Sequence, residues 1–504
     1  MFRSILWQNE EMEFSETCQP DFFHDLNLSQ LLERIKRYNP RLNLEIFYFS
    51  RCKDLYTIRY RQEVSKELQK GVILKCVKEF IHVMNAINEF NKIKEKLHDY
   101  QRELGILDAS IQYVRSVESF KNALSGVELT SSGFKALRAY LLSYTSSEYF
   151  LNLKNNSNSV EEKIEGIRYD MSIGVDRVTV TPESGRAPYD GIVSDVFNKF
   201  RDGNYNIKQE TFHGTGLTQV EASVLKLLSK MFPVEFEELL SFSKKYSNFI
   251  DPTIERFFLE VQFYLSYLSF IYPLEKTGLN FCIPEMDDGQ QVLIKEGFDI
   301  VLASNLINEG KLIVTNDICL KKGERIVVIT GPNSGGKTTF ARSFGQIHYL
   351  ASLGLPVPGI KARIPVFDQL YTHFETPEHP DKMMGKLESD LKELRTILDS
   401  ISSRSIVILN ELLSSTSLKD ATLIGTEVLK AVDRIGALCL YVTFIDDFAG
   451  FPFAVGLVSL VDSSEPEKRT FKLERRNANG NAYALTIARK HGVLKENILE
   501  RIRC

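Results

Sequence analysis

Residues 325–338 read RIVVITGPNSGGKT, and the rest of the chain is best read outward from them. Arg325 to Thr330 is a short β-branched apolar run, the composition of a strand buried on both faces. Gly331-Pro332-Asn333-Ser334-Gly335-Gly336-Lys337-Thr338 follows at once, and Thr339 leads into FARSFGQIHYLASL, a helical stretch. A strand, then G-x-x-x-x-G-K-[ST], then a helix is the context in which this pattern cradles phosphate. Its glycines let backbone N–H groups converge on the anion, and the helix N-terminus adds the positive end of its dipole. Lys337 can reach the terminal phosphates, and the Thr338 hydroxyl can ligate Mg²⁺. Binding of a nucleoside triphosphate along Gly331 to Thr339 is the first expectation.

Downstream, SIVIL (405–409), LCLYVT (438–443), VGLVSLV (455–461) and TFKL (470–473) are further short runs separated by helical patterns. Alternation of this kind predicts a largely parallel α/β sheet covered on both faces. SIVILNE places Asn410 and Glu411 at the carboxyl end of a strand, where ligands of open parallel sheets gather. Glu411 is the candidate to orient or deprotonate the attacking water. Asn410 can offer Mg²⁺ a carbonyl oxygen but no charge. A strand-end carboxylate pointing into solvent is the competing reading of Glu411.

Upstream the grammar differs. Residues 1–165 contain four glycines and two prolines, so long helices are expected. In 72–97, Val72, Ile73, Cys76, Val77, Phe80, Ile81, Met84, Ile87 and Phe90 recur at helical spacing. NNSNS (155–159) reads as a polar loop, and MSIGVDRVTVTPESG, with Val175, Val178 and Val180, as short strands in a β-rich insertion at about 166–190. Helical pattern resumes over 218–240 and 254–271, and Pro273, Pro284 and DDGQQ (287–291) suggest a linker. The expected fold class is therefore multi-domain, with a mainly α-helical region over 1–290 and an α/β P-loop domain over 291–504.

The whole chain, 504 residues with 62 Lys and Arg against 66 Asp and Glu, carries a formal charge of −4. This excludes a uniformly basic or acidic chain but not a local basic surface. Seven scattered cysteines show no C-x-x-C pair, so neither a zinc site nor a disulfide framework is indicated and a reducing cytoplasm is expected. The N-terminus turns acidic within ten residues, unlike a signal peptide. The apolar stretch 257–274 holds Glu260, Gln262 and Pro273, which favours a buried helix over a membrane span.

The string TGPNSGGKTTFARSFGQIHYLASLGLPVP, Thr330 to Pro358, resembles the phosphate loop and following helix of the MutS family of DNA mismatch-repair ATPases. Asn316 in IVTND, Thr416-Ser417 with Asp420, Thr443, and NGNAYAL (479–485) with Ile487, Ala488 and Gly492 match further family segments in order. TIRYRQE (57–63) extends the resemblance to the family's helical core, lever and clamp region. The resemblance implies a homodimeric ATPase using ATP and Mg²⁺, with Ile313 and Asn316 on the adenine side and about 476–504 as dimerisation segment. It also implies departures from the family pattern: Asn410 for an Asp, Phe444 for a switch histidine, Gly385, beside Lys386, for the serine reaching the partner's phosphate, and Ile313 for a stacking aromatic. Slow hydrolysis is the expectation. The family's Gly-x-Phe-x-Glu mismatch wedge has no counterpart in the sequence, so a member without mismatch reading, and without an appended nuclease domain, is expected.

The stretch 51–102 has twelve Lys or Arg against seven acids, a surplus of five. Charge alone favours a solvated helix face. The resemblance turns Arg59, Arg61, Lys92, Lys94 and Lys96 into candidates for DNA-backbone contact, with Arg177 and Arg186 as weaker ones. Two alternatives stand beside this reading: a nucleotide-gated scaffold or clamp with negligible hydrolysis, and an ABC-type transport ATPase, disfavoured by the Gly-Pro-Asn loop and the lack of a membrane segment.

Overall fold

A computed structural model describes residues 2–8, 18–98, 100–173, 178–183, 219–289, 291–375, 385–461 and 469–476. The chain divides into two compact units that interleave in sequence and do not part at one cut near 290. One holds residues 1–2, 68–130 and 134–258, and the other 3–67, 131–133 and 259–504.

The first unit is helical. Helix Gly71–Ile93 buries Ile73, Val77, Phe80, Ile81, Met84, Ile87 and Phe90 along one stripe, as the spacing predicts, while Val72 is exposed. A single 3₁₀ turn, Lys94–Lys96, ends it earlier than the pattern suggests. The Phe80 ring stacks on Phe120 of helix Gln101–Ser125 at 4.8 Å, and both meet Phe257. Burying a side chain of this size contributes roughly 1.5–3 kcal/mol.

NNSNS is not a loop. Helix Glu148–Glu165 runs through it, capped by Ser147, whose hydroxyl accepts from the Phe150 N–H. The polar run is helical because its groups find partners: Asn156 donates to the Tyr246 hydroxyl at 2.9 Å, and buried Ser157 donates back to the Lys154 carbonyl. Beyond it, strands β1 (Tyr169–Ile173) and β2 (Val178–Pro182) pair antiparallel. Val175, Arg177 and Arg186 lie outside the described residues. Helices Gln219–Met231 and Pro233–Lys245 follow, divided at Pro233, which serves as a first-turn residue of the second.

In the second unit, Pro273 lies inside helix Pro252–Lys276, and the expected linker contains sheet. Strands β3 (Phe281–Cys282) and β4 (Glu285–Asp287) come before DDGQQ has ended, and β5 (Val292–Gly297) begins directly after it. β5 joins β4, β6 (Asn316–Leu320) and β9 (Lys361–Pro365) in a sheet of order β4-β9-β5-β6, while β3 pairs with β8 (Val357–Pro358).

The main sheet holds the runs read from sequence, β7 (Ile326–Thr330), β11 (Ile406–Asn410), β12 (Leu438–Val442), β13 (Ala454–Val461) and β14 (Arg469–Arg475), and an edge strand that the sequence reading did not include, β10 (Leu370–Phe374), in the order β10-β11-β12-β7-β13-β14. All pairings are parallel except β13 with β14. Every residue of β7, β11 and β12 is buried, which is why these strands read as continuous apolar runs. Helices Lys386–Ser400 and Leu418–Ile435 supply Leu394, Ile397, Val428, Leu429 and Val432 to the core on one face. Helix Lys337–Ser352 leaves the end of β7 and is almost wholly buried. N-terminal residues belong to this unit: Arg342 donates to the Asp25 carbonyl at 3.0 Å and Gln346 to the Leu26 carbonyl at 2.9 Å.

Candidate active site

The phosphate loop lies at the carboxyl end of β7, between that strand and helix Lys337–Ser352. Gly331 (φ 118°) and Gly336 (φ 89°) adopt left-handed backbone that a side chain would strain, and Ser334 adopts it without being glycine. The loop is braced from behind by β13: the buried Ser459 hydroxyl donates to the Gly335 carbonyl at 2.7 Å. Because a trans peptide directs its C=O and N–H oppositely, this bond turns the Gly336 N–H away from β13.

Lys337 is 5% exposed, and its Nζ donates to the carbonyls of Gly331 (2.9 Å) and Pro332 (3.2 Å) and to Asn333 Oδ1 (3.4 Å). Burial pulls its ammonium below the ordinary lysine range, with the charge of Glu411 pulling the other way. Thr338 Oγ1 donates to Asn410 Oδ1 at 3.0 Å. The two groups expected to hold Mg²⁺ are thus neighbours, both neutral oxygen donors of the type that cation takes. The set fits a Mg²⁺ that arrives with most of its charge compensated by nucleotide phosphates. Among the described residues no cluster of three or more His, Cys, Asp or Glu could hold a metal.

Glu411 follows β11 with φ 54°, its N–H bonded to the Val442 carbonyl at 2.9 Å, and Leu413 is left-handed too. Backbone held in this region by a well-packed sheet is strained, and such strain collects at functional sites. Glu411, Lys337, Thr338, Thr339, Gly335, Gly336, Ser334, Ile313 and Asn316 all line one cleft of about 540 Å³. Phe298, Leu302, Leu306, Leu312 and Val314 contribute apolar surface to the same cleft.

Two details were not legible in sequence. Phe471, on β14, lines the same cleft with φ 57°, its Cβ facing Gly336. It adds an aromatic side chain to a cleft in which Ile313 is aliphatic. Asn316 does not face the cleft with a free amide: its Nδ2 donates to the Phe471 carbonyl at 3.0 Å and its Oδ1 accepts from the Leu473 N–H at 2.8 Å. It pins β14, and with it Phe471, beside the loop. A side-chain contact that spans 155 residues of sequence leaves no local signal.

Other candidates are placed as follows. Gly385 precedes helix Lys386–Ser400, and Lys386 pairs with Glu375 at 2.6 Å. Ser417 caps helix Leu418–Ile435 and bonds Asp420, which gives Thr416-Ser417 and Asp420 a local structural role. Thr443 is buried and accepts from the Ile445 N–H, whereas Phe444 is 49% exposed. The segment 477–504, holding most of the expected dimerisation region, lies outside the described residues.

The DNA-contact set needs one correction. Arg61 is fully buried, its guanidinium 4.1 Å from the Trp7 ring and its Nε bonded to the Leu6 carbonyl. It is a core residue, because a guanidinium can stack on an aromatic face away from water. Arg59 is exposed though bonded to the Met286 carbonyl, Lys92 pairs with Glu89, Lys94 bonds the Ser247 carbonyl, and Lys96 is exposed.

Residues 327–502 match the family described as MutS domain V. That segment carries a MutS domain V. It is 24% identical over 461 residues to the DNA mismatch repair protein MutS of Rickettsia typhi, covering 82% of this chain and 48% of that protein. It is 32% identical over 200 residues to the Endonuclease MutS2 of Gemmatimonas aurantiaca (38% and 24%), and 28% over 237 residues to the MutS of Chlorobium phaeobacteroides (46% and 27%). The chain thus spans about half the length, or less, of these relatives. Among the described residues no helix is long and apolar enough to cross a membrane.

Proposed function

We propose that this chain, with its MutS domain V, binds ATP with Mg²⁺ in the cleft, hydrolyses it slowly as a homodimer, and couples that cycle to contact with DNA backbone. The observation that carries the reading is the convergence of Lys337, Thr338 and Glu411 on one cleft, with Asn410 bonded to Thr338. The backbone N–H groups of Ser334 to Thr338 and the ammonium of Lys337 bind and orient the phosphates. Thr338 and Asn410 would hold Mg²⁺, which supplies positive charge to the phosphate oxygens when bound. Glu411 accepts a proton from the attacking water, and its fixed backbone sets the direction of that carboxylate. Phe471 and Ile313 enclose the base by apolar contact.

Phosphate release by wild type against Glu411→Gln tests the hydrolytic part. A large loss in the variant with ATP binding retained supports it, and equal rates remove Glu411 as the base. A protein that stays monomeric with ATP and Mg²⁺ would contradict the composite dimer. DNA contact is tested by salt titration on duplex, branched and single-stranded DNA, with and without ATP, since backbone binding must weaken steeply with salt. We assign no base reading, because the sequence lacks the Gly-x-Phe-x-Glu wedge.

A second reading, a nucleotide-gated clamp with negligible turnover, draws on specific observations: a neutral Asn410 in place of a carboxylate and an exposed Phe444 in place of a titratable side chain. Equal, near-zero rates in wild type and Glu411→Gln, with ATP still bound, would favour it.

A further inference from the structure

The cleft lining contains a carboxylate that the phosphate chemistry does not use. Asp299 is 3% exposed yet lines the cleft. Its Oδ1 accepts three hydrogen bonds, from the N–H groups of Val301 (2.9 Å) and Leu302 (3.0 Å) and from Gln346 Nε2 (3.0 Å). Gln346 is itself held, its Oε1 accepting from the Ile300 N–H. The carboxylate is therefore locked in orientation through one oxygen. The other, Oδ2, accepts no hydrogen bond among the described residues and is not sealed from solvent.

Four polar side chains line the cleft away from the phosphate loop and Glu411: Asp299, Lys311, Asn316 and Ser343. Lys311 is paired with Glu309 at 2.6 Å, and both ends of the Asn316 amide are bonded to β14. That leaves Oδ2 of Asp299 and the Ser343 hydroxyl. Ser343 lies three residues before Gln346 on the same helix, so it shares the face that clamps Asp299. The two residues offer the cleft an acceptor and a hydroxyl that can donate, among mostly apolar neighbours.

We propose that Asp299 and Ser343 read the edge of the nucleotide base, Asp299 Oδ2 accepting from the exocyclic amino group of adenine and Ser343 donating to the neighbouring ring nitrogen. The inference rests on the nucleotide reading of the cleft and adds the source of its base selectivity. Adenine presents an amino donor next to a ring-nitrogen acceptor, while guanine and hypoxanthine present a carbonyl oxygen where that amino group stands. A locked carboxylate would face this oxygen lone pair to lone pair and remain unpaired in a site with little water. Sites built to bond a specific polar group reject analogues lacking it far better than apolar pockets discriminate by shape.

The test is equilibrium titration of the full chain, with Mg²⁺, against ATP, inosine triphosphate and N6,N6-dimethyl-ATP. Wild type should favour ATP over each analogue by at least tenfold. Asp299→Asn keeps a good helix cap and one acceptor oxygen while placing an NH₂ donor toward the base. It should cut the ATP-to-inosine preference at least fivefold, with the melting temperature little changed. Ser343→Ala should weaken ATP three- to tenfold. Wild type that binds ATP and both analogues equally overturns the inference alone, as does an unchanged preference in a folded Asp299→Asn. Wild type that binds no nucleotide overturns it together with the nucleotide reading. The dimethyl probe decides on wild type even if the variant does not fold.

Discussion

Replacing Gly335 with alanine isolates packing from backbone strain in the phosphate loop. Gly331 and Gly336 have left-handed φ, so substitution there mixes two effects, whereas Gly335 is not among the positive-φ residues. A Cβ at Gly335 would lie 2.3 Å from Ser459 Oγ and 2.9 Å from the Pro332 carbonyl oxygen. The hydroxyl can swing away only by giving up its bond to the Gly335 carbonyl, and the Pro332 carbonyl is backbone that must itself shift. Overpacking of this kind costs about 1–3 kcal/mol. The lost hydrogen bond adds about 1 kcal/mol. If the loop conformation shown is the one that receives phosphate, a penalty of about 2–4 kcal/mol lowers ATP affinity roughly 30- to 800-fold. Titration with a fluorescent ATP analogue measures this, and thermal melting checks that the fold survives. The double variant Gly335→Ala/Ser459→Ala removes the 2.3 Å contact but not the one to Pro332, so recovery should be partial, about tenfold. Gly450→Ala is the control, since Gly450 is not among the positive-φ glycines and an added Cβ meets nothing within 4 Å. Gly335→Ala binding ATP within threefold of wild type would refute the argument.

Three further outcomes are expected. Arg61→Ala should destabilise the chain by about 2–4 kcal/mol in urea unfolding, because a packed, ring-stacked side chain is lost; unchanged stability with weaker DNA binding would return Arg61 to the surface. Burial lowers the pKa of His348 to about 4 from the ordinary histidine value of about 6.5, so the fold favours its neutral form. That contribution is present above about pH 6.5 and lost as pH falls toward 4, at most about 3 kcal/mol, and His348→Leu should flatten this part of the urea-midpoint profile. His373 behaves oppositely: burial lowers its pKa, but Glu393 at 3.1 Å, Asp390 at 3.6 Å and the charge of Asp25 outweigh it, and the net shift is upward. Its stabilisation is complete below about pH 6.5 and fades as pH rises through the raised value, so His373→Gln should remove a loss of stability that wild type shows as pH rises above about 6.5.

Local pattern alone determined the phosphate loop, the strands β7, β11, β12, β13 and β14, and the neighbourhood of Asn410 and Glu411, but not β3 to β6 or β8 to β10. The reason is that a buried parallel strand and a glycine loop each impose their composition within a few residues, and β7 with Gly331–Thr338 shows both. Helical spacing likewise exposed the buried stripe of Gly71–Ile93. Where polar residues found distant partners, local reading failed: Asn156 and Ser157 sit in a helix, and Arg61 is in the core, because a polar side chain looks the same in sequence whether water or Trp7 receives it. Only the tertiary structure decided that residues 3–8 and 18–67 belong to the α/β unit, that Asn316 holds β14 and with it Phe471 beside the loop, and that Asp299 lines the cleft with one oxygen unbonded among the described residues. Each of these depends on contacts between segments tens to hundreds of residues apart, whose partners are chosen by packing and hydrogen-bond satisfaction across the whole unit.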